Sequence, residues 1–187
     1  MHLSRRSLAI AAVLLASPMA PIMASPAHAA SRAEMTARAV SALHELEGQD
    51  SRARFIAKHA KAVLVFPSIL KAGFVFGGET GNGVLLTGGK ATGYYNLSGG
   101  SWGLQIGGQD FAYALFFMTD GSLSYLHRSG GFSAGTGPSI TVINAGAAAE
   151  SNTTTLTQDV YAFPFNGKGL MADLTLQGTK ITQIHPH

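Results

Sequence analysis

The chain has 187 residues, of which 46% are apolar and 12% charged, with 23 Gly, no Cys and a formal charge of +3. That length and apolarity fit one folded domain with a short appendage, and they exclude a disordered chain or two ordinary domains. The missing cysteine excludes thiol catalysis, cysteine-ligated zinc, iron–sulfur clusters, disulfides and a lipid-modified N-terminal cysteine.

Arg5 and Arg6 precede an apolar run over residues 8–16, and the small-residue region after it ends in Ala27-His28-Ala29. A basic start, a short apolar core and an Ala-x-Ala site read as a secretory signal peptide over residues 1–29, cleaved after Ala29. Pro18, Pro21 and Pro26 interrupt the segment, and its apolar core falls short of the ~20 residues that a spanning helix needs. Ser4-Arg5-Arg6-Ser7-Leu8 fits an ordinary secretory signal or a twin-arginine one. No later stretch is long, apolar and glycine-poor enough to span a bilayer as a helix, so the expected location is a periplasm or the outside of the cell.

Arg5 and Arg6 leave with the signal, so 13 basic residues become 11 against 10 acidic, a charge of +1. What remains is uneven. Over residues 50–71, Arg52, Arg54, Lys58, Lys61 and Lys71 oppose Asp50 alone, a net +4, whereas the rest of the chain after Lys71 has four basic and six acidic residues. A local basic face on a near-neutral body points to an anionic surface as partner and away from a nucleic acid.

Ser31 and Glu34 have the spacing of a capping box, so a helix is expected to begin there. Met35, Ala39, Ala42, Leu43 and Leu46 form its apolar stripe, and Gly48 is the expected left-handed stop. Asp50 or Ser51 caps a second helix to about Lys61, with Phe55, Ile56 and His59 on one side and Arg54, Lys58 and Lys61 on another. Residues 62–66 then read as a strand closed by Pro67. Residues 72–77 and 84–87 flank the glycine-rich stretch 78–83, which reads as a hairpin turn. Further strands are expected over 92–97, 102–107, 111–118, 139–144, 156–163, 170–176 and 179–184, with one helical turn after Thr119 or Asp120. The fold class is α+β: two N-terminal helices packed on a mostly antiparallel sheet, a β-sandwich or barrel-like, as one domain over residues 30–187. A membrane barrel is disfavoured because residues 111–118 are continuously apolar rather than alternating.

No chemical motif survives inspection. Residues 83–90 mimic a phosphate loop, but Val84 stands where glycine is required and Ala91 where Ser or Thr is required. His44, His59 and His127 are scattered, His185-Pro186-His187 reads as a solvated tail, and no serine sits in a nucleophile elbow. The expectation is a protein that is not an enzyme and has no cofactor and no metal site. The basic helix is left as the candidate site: Arg54, Lys58 and Lys61 suit anionic head groups, while Phe55 and Ile56 suit acyl chains or the protein's own sheet.

The run Phe66-Pro67-Ser68-Ile69-Leu70-Lys71-Ala72-Gly73-Phe74-Val75-Phe76-Gly77-Gly78-Glu79-Thr80-Gly81-Asn82-Gly83 resembles the signature of the SYLF domain family. So do Gly99-Gly100-Ser101-Trp102-Gly103-Leu104-Gln105-Ile106-Gly107-Gly108-Gln109, and Gly167-Lys168-Gly169-Leu170 with Leu174 to Ile181 after it. The resemblance runs over roughly residues 33–184. It implies a lipid-binding module that meets acidic phospholipid partly through an N-terminal amphipathic helix, here the segment from Arg52 to Lys61, with Lys71 as an outlying contact. The chain departs from the family where Ala91-Thr92-Gly93-Tyr94-Tyr95 lacks a usual tryptophan and proline. The expected lipid-binding residues are therefore Arg52, Arg54, Phe55, Ile56, Lys58, Lys61 and Lys71, and the expected partner is an anionic phospholipid membrane. The alternative is an envelope scaffold that binds a protein partner through the same face.

Overall fold

The Ser31 side chain accepts a hydrogen bond from the Glu34 amide at 3.2 Å and starts α1, Arg32–Gln49. Only this half of the expected capping box forms, because the Glu34 carboxylate pairs with Arg38 one turn along. In this computed structural model, which describes residues 30–73, 76–102, 107–128, 131–133, 137–143, 156–167 and 178–187, α1 buries Met35, Ala39, Ala42 and Leu46. The proposed signal peptide lies outside the described residues. The helix does not stop at Gly48 as expected. It runs through that glycine to Gln49, and Asp50 ends it: the Asp50 amide donates to the Leu46 carbonyl at 2.8 Å, while its carboxylate accepts from the Arg52 and Ala53 amides and starts α2, Ser51–Ala57. A residue that caps both helices makes a left-handed glycine unnecessary.

Four long strands follow: β1, Ala62–Gly73; β2, Phe76–Thr87; β3, Lys90–Trp102; and β4, Gly107–Phe117. Two expectations fail here. Pro67 does not close β1. The strand continues past it through a register shift between Phe66 and Ile69, since proline has no amide for the ladder and is tolerated at a bulge. Residues 78–83 are not a turn either; they lie inside β2, paired with β1 on one side and β3 on the other. Their glycines make room: a Cβ on Gly83 would lie 2.6 Å from the Phe66 ring, and one on Gly81 would lie 2.8 Å from the Ile69 side chain. The tight turn is at Gly88 and Gly89, with φ of +56° and +77°, between β2 and β3. The strand expected over 102–107 lies outside the described residues except for its two ends, Trp102 in β3 and Gly107 in β4.

After β4 come α3, Asp120–Leu126, and the short strands β5, Phe132–Ser133; β6, Ile140–Val142; β7, Val160–Phe165; and β8, Thr179–Ile184. The strand expected over 170–176 lies outside the described residues. The sheet order is β5-β8-β3-β2-β1-β4-β7-β6, antiparallel except for β6 beside β7. Phe132 on β5 stands five places from β4 in that order, yet its ring is 6.1 Å from Phe117. The sheet is therefore curled into a half-barrel.

Both faces are buried, which explains the unbroken apolar run of β4. The inner face carries Leu64, Phe66, Ile69, Leu85, Tyr95, Leu97, Phe111, Tyr113 and Leu115, and α3 closes over it with Leu126. The Tyr95 hydroxyl meets His127 Nδ1 at 3.0 Å at that end. The outer face carries Val63, Val65, Val84, Leu86, Ala114 and Phe116 and packs against α1 and α2. Asp159 pins α3 to the far edge, accepting from Thr119 Oγ1 at 3.1 Å and Ser139 Oγ at 3.0 Å. The C-terminal tail is solvated at His185 and His187, and Arg32 Nε donates to the Pro186 carbonyl at 2.6 Å. No helix among the described residues is long and apolar enough to cross a membrane.

Candidate functional site

The +4 segment folds as α2, the corner after it and most of β1, and its seven candidate residues separate into three groups. Arg52 is partly exposed, and its charge is taken up within the protein. Its Nε and Nη2 reach the two Asp50 carboxylate oxygens at 3.1 and 2.6 Å. That hydrogen bond with Arg52 holds the Asp50 carboxyl below its ordinary range and raises the Arg52 guanidinium in turn. Ile56 is inside: it is 0% exposed and packs in the outer-face core with Ala53. The expectation that Ile56 touches acyl chains is corrected by its burial, which points it at the protein's own sheet.

The second group is on the surface. Arg54 donates from Nε to the Glu47 carbonyl at 2.8 Å and from Nη2 to the Gly48 carbonyl at 3.4 Å. It thereby caps the C-terminal end of α1 while keeping its charge, since carbonyls do not neutralise it. Lys58 is exposed and makes no ion pair among the described residues. Lys61 Nζ is 3.2 Å from Asp120 Oδ2, with side chains 51% and 81% exposed. So open a pair is weakly coupled. Phe55 is 46% exposed and carries the His59 ring at 4.6 Å between centroids.

Lys71 forms the third group. It lies beyond the bulge, two residues from Ile69 and therefore on the inner face, in register with Glu79 across β1 and β2. It does not join α2. Glu79 is partly buried, and that burial pushes its carboxyl up; Lys71 pulls it down by less. The Tyr113 hydroxyl is raised too, first by its own burial and then by the Glu79 charge. Sequence reasoning missed Glu79 as a partner because the pairing register is needed to see it. It also missed Asp120 as the partner of Lys61, which a separation of 59 residues hides.

No group of three His, Asp or Glu side chains suited to a metal ion occurs among the described residues. Chemically, the surface group offers three exposed cations and one exposed aromatic ring on α2 and the corner after it.

Residues 98–185 match the family described as Ysc84, Las17-binding protein actin regulator. No curated protein matches the chain. The matched stretch runs from β3 to β8 and holds two of the three sequence blocks that carried the resemblance. It begins well after α2, so the basic helix is outside it.

Proposed function

From the premise that residues 98–185 belong to the Ysc84 (SYLF) domain family, we propose that the protein is an exported, non-enzymatic module that attaches peripherally to anionic phospholipid through the exposed side of α2. The observation that carries the proposal is that Arg54, Lys58, Lys61 and Phe55 are all exposed on α2 and the corner after it. Each basic side chain close to an anionic membrane is worth about 1 kcal/mol, so the group supports weak attachment that salt weakens. Phe55 adds apolar contact at the interface. Arg52 and Ile56 serve the fold instead, and Lys71 stands apart from α2 on the inner face. Export rests on the N-terminal signal pattern, and phosphatidylglycerol or cardiolipin are the anions such an envelope supplies.

The test uses the chain recovered after export, whose N-terminus is expected at Ala30, in co-sedimentation with phosphatidylglycerol-containing and purely zwitterionic vesicles. Binding to the anionic vesicles alone, lost in high salt, is the expected result. Replacing Arg54, Lys58 and Lys61 together by Glu is expected to remove that binding while the circular dichroism spectrum stays the same. A folded triple variant that still sediments would overturn the site. Absence of binding by the parent chain, with a specific protein captured instead, would favour a scaffold that uses the same face.

A further inference from the structure

His59 sits one helical turn after Phe55, and its Nδ1 lies 2.9 Å from the Phe55 carbonyl oxygen. A carbonyl only accepts, so Nδ1 carries the hydrogen and Nε2 is left as a bare acceptor on an exposed ring. That ring is tilted at 45° over the Phe55 ring. The arrangement fixes where an added proton goes. It enters at Nε2 without breaking the Nδ1 bond, and it turns an acceptor into a second donor on an exposed ring in contact with Phe55.

The surrounding charges are nearly all of one sign. Arg54 is on α2, Lys58 caps its C-terminal end next to His59, and Lys61 stands at the entry to β1. Of the acidic groups here, Asp120 at the start of α3 is paired with Lys61 and Asp50 at the start of α2 with Arg52. On α1, Glu47 meets the site through its backbone carbonyl, which Arg54 occupies.

Building on the lipid-binding reading above, we infer that His59 is an acid-sensitive switch of that surface, adding a fourth cation and a phosphate-directed N–H donor beside Phe55 when the medium acidifies. Imidazole is the side chain whose ordinary titration spans pH 5 to 8, the range an envelope or external medium visits. An anionic membrane favours the charged form, so binding and protonation strengthen each other. One added charge at such a surface corresponds to about a fivefold change in partition at low salt.

The experiment measures partition of residues 30–187, which contain every described element, onto phosphatidylglycerol-containing vesicles at about pH 5.5 and about pH 7.5. The parent chain is expected to bind about fivefold more tightly at the lower pH. His59→Gln is expected to bind equally at both, while keeping every other histidine and carboxylate. His59→Arg is also expected to lose the pH dependence, but with an affinity about fivefold above the Gln variant. A parent chain whose salt-sensitive binding ignores pH, or a Gln variant that keeps the full pH response, overturns the switch and leaves the lipid reading standing. No binding at either pH overturns both.

Discussion

Asp50 and Glu79 are both carboxylates with a basic residue at hand, and the structure moves their pKa values in opposite directions. Asp50 lies at the α1–α2 joint, where Arg52 grips both oxygens and two backbone amides donate to it as well. Glu79 lies on the inner face of the half-barrel, where Lys71 is its register partner but makes no ion pair with it among the described residues. At Asp50 directed hydrogen bonds outweigh the cost of burial, and at Glu79 burial outweighs a charge that acts only from a distance. A nearby opposite charge therefore does not decide the sign; short, directed donors do.

The largest effect expected from breaking this contrast is at Asp50. Asp50→Ala removes the cap of α2 and strands the half-buried Arg52 guanidinium, and it should lower stability by about 2 kcal/mol in denaturant unfolding at neutral pH. Asp50→Asn keeps an N-cap acceptor and should recover part of that loss. The sign with pH follows from the lowered value: this stabilisation is fully present above the unfolded carboxyl range and is lost as pH falls through the folded value. The parent chain should therefore lose stability below about pH 4, and the Asn variant should show a shallower loss. An Asn variant as acid-sensitive as the parent would remove Asp50 from the account.

The same contrast explains what was legible in the sequence. Asp50 acts on residues two and three positions away, and Ser31 on one three away, so both helix starts could be read from local spacing. The continuous run of β4 likewise announced a strand buried on both faces. The glycines of β2 were misread as a turn because what they accommodate, Phe66 and Ile69, arrives from the neighbouring strand. Glycine composition alone does not separate a position needing positive φ from one needing room. In the candidate site, Arg54, Lys58 and Lys61 were legible as a cationic row. Phe55 and Ile56, about 100° apart on a short helix, were not separable until the sheet showed which of them it covers. Lys71 was assigned to the same surface for its charge and its closeness in sequence, but the bulge at Pro67 places it on the inner face.

Glu79 gives the next effect, smaller and of opposite slope. Its folded value is raised, so the native state holds its proton more tightly than the unfolded chain, and the stability it contributes is lost as pH rises from about 4.5 through the folded value. Glu79→Gln removes an ionisable group from a partly buried place. It should leave stability at neutral pH unchanged or slightly higher, and it should flatten the fall between pH 4.5 and neutrality. Paired melting curves for the Gln and parent chains check this. A Gln variant markedly less stable at neutral pH would mean that the carboxylate is held by a directed partner, as Asp50 is.

The smallest effect separates the two contributions at Glu79 itself. Lys71 opposes the burial of that carboxyl from across the β1–β2 register. Lys71→Met keeps the length and the apolar stem while removing the charge, so the Glu79 carboxyl should titrate still higher, followed by the carbon shift of its carboxyl group in nuclear magnetic resonance. The Asp50 carboxyl should not move, because its charge partner is Arg52 and its donors are local. Because Tyr113 is raised partly by the Glu79 charge, Glu79→Gln should bring its hydroxyl down, whereas Lys71→Met should not lower it. Were Lys71→Met instead to leave Glu79 where it is, the lysine charge would be screened at the rim, and burial alone would account for the raised carboxyl.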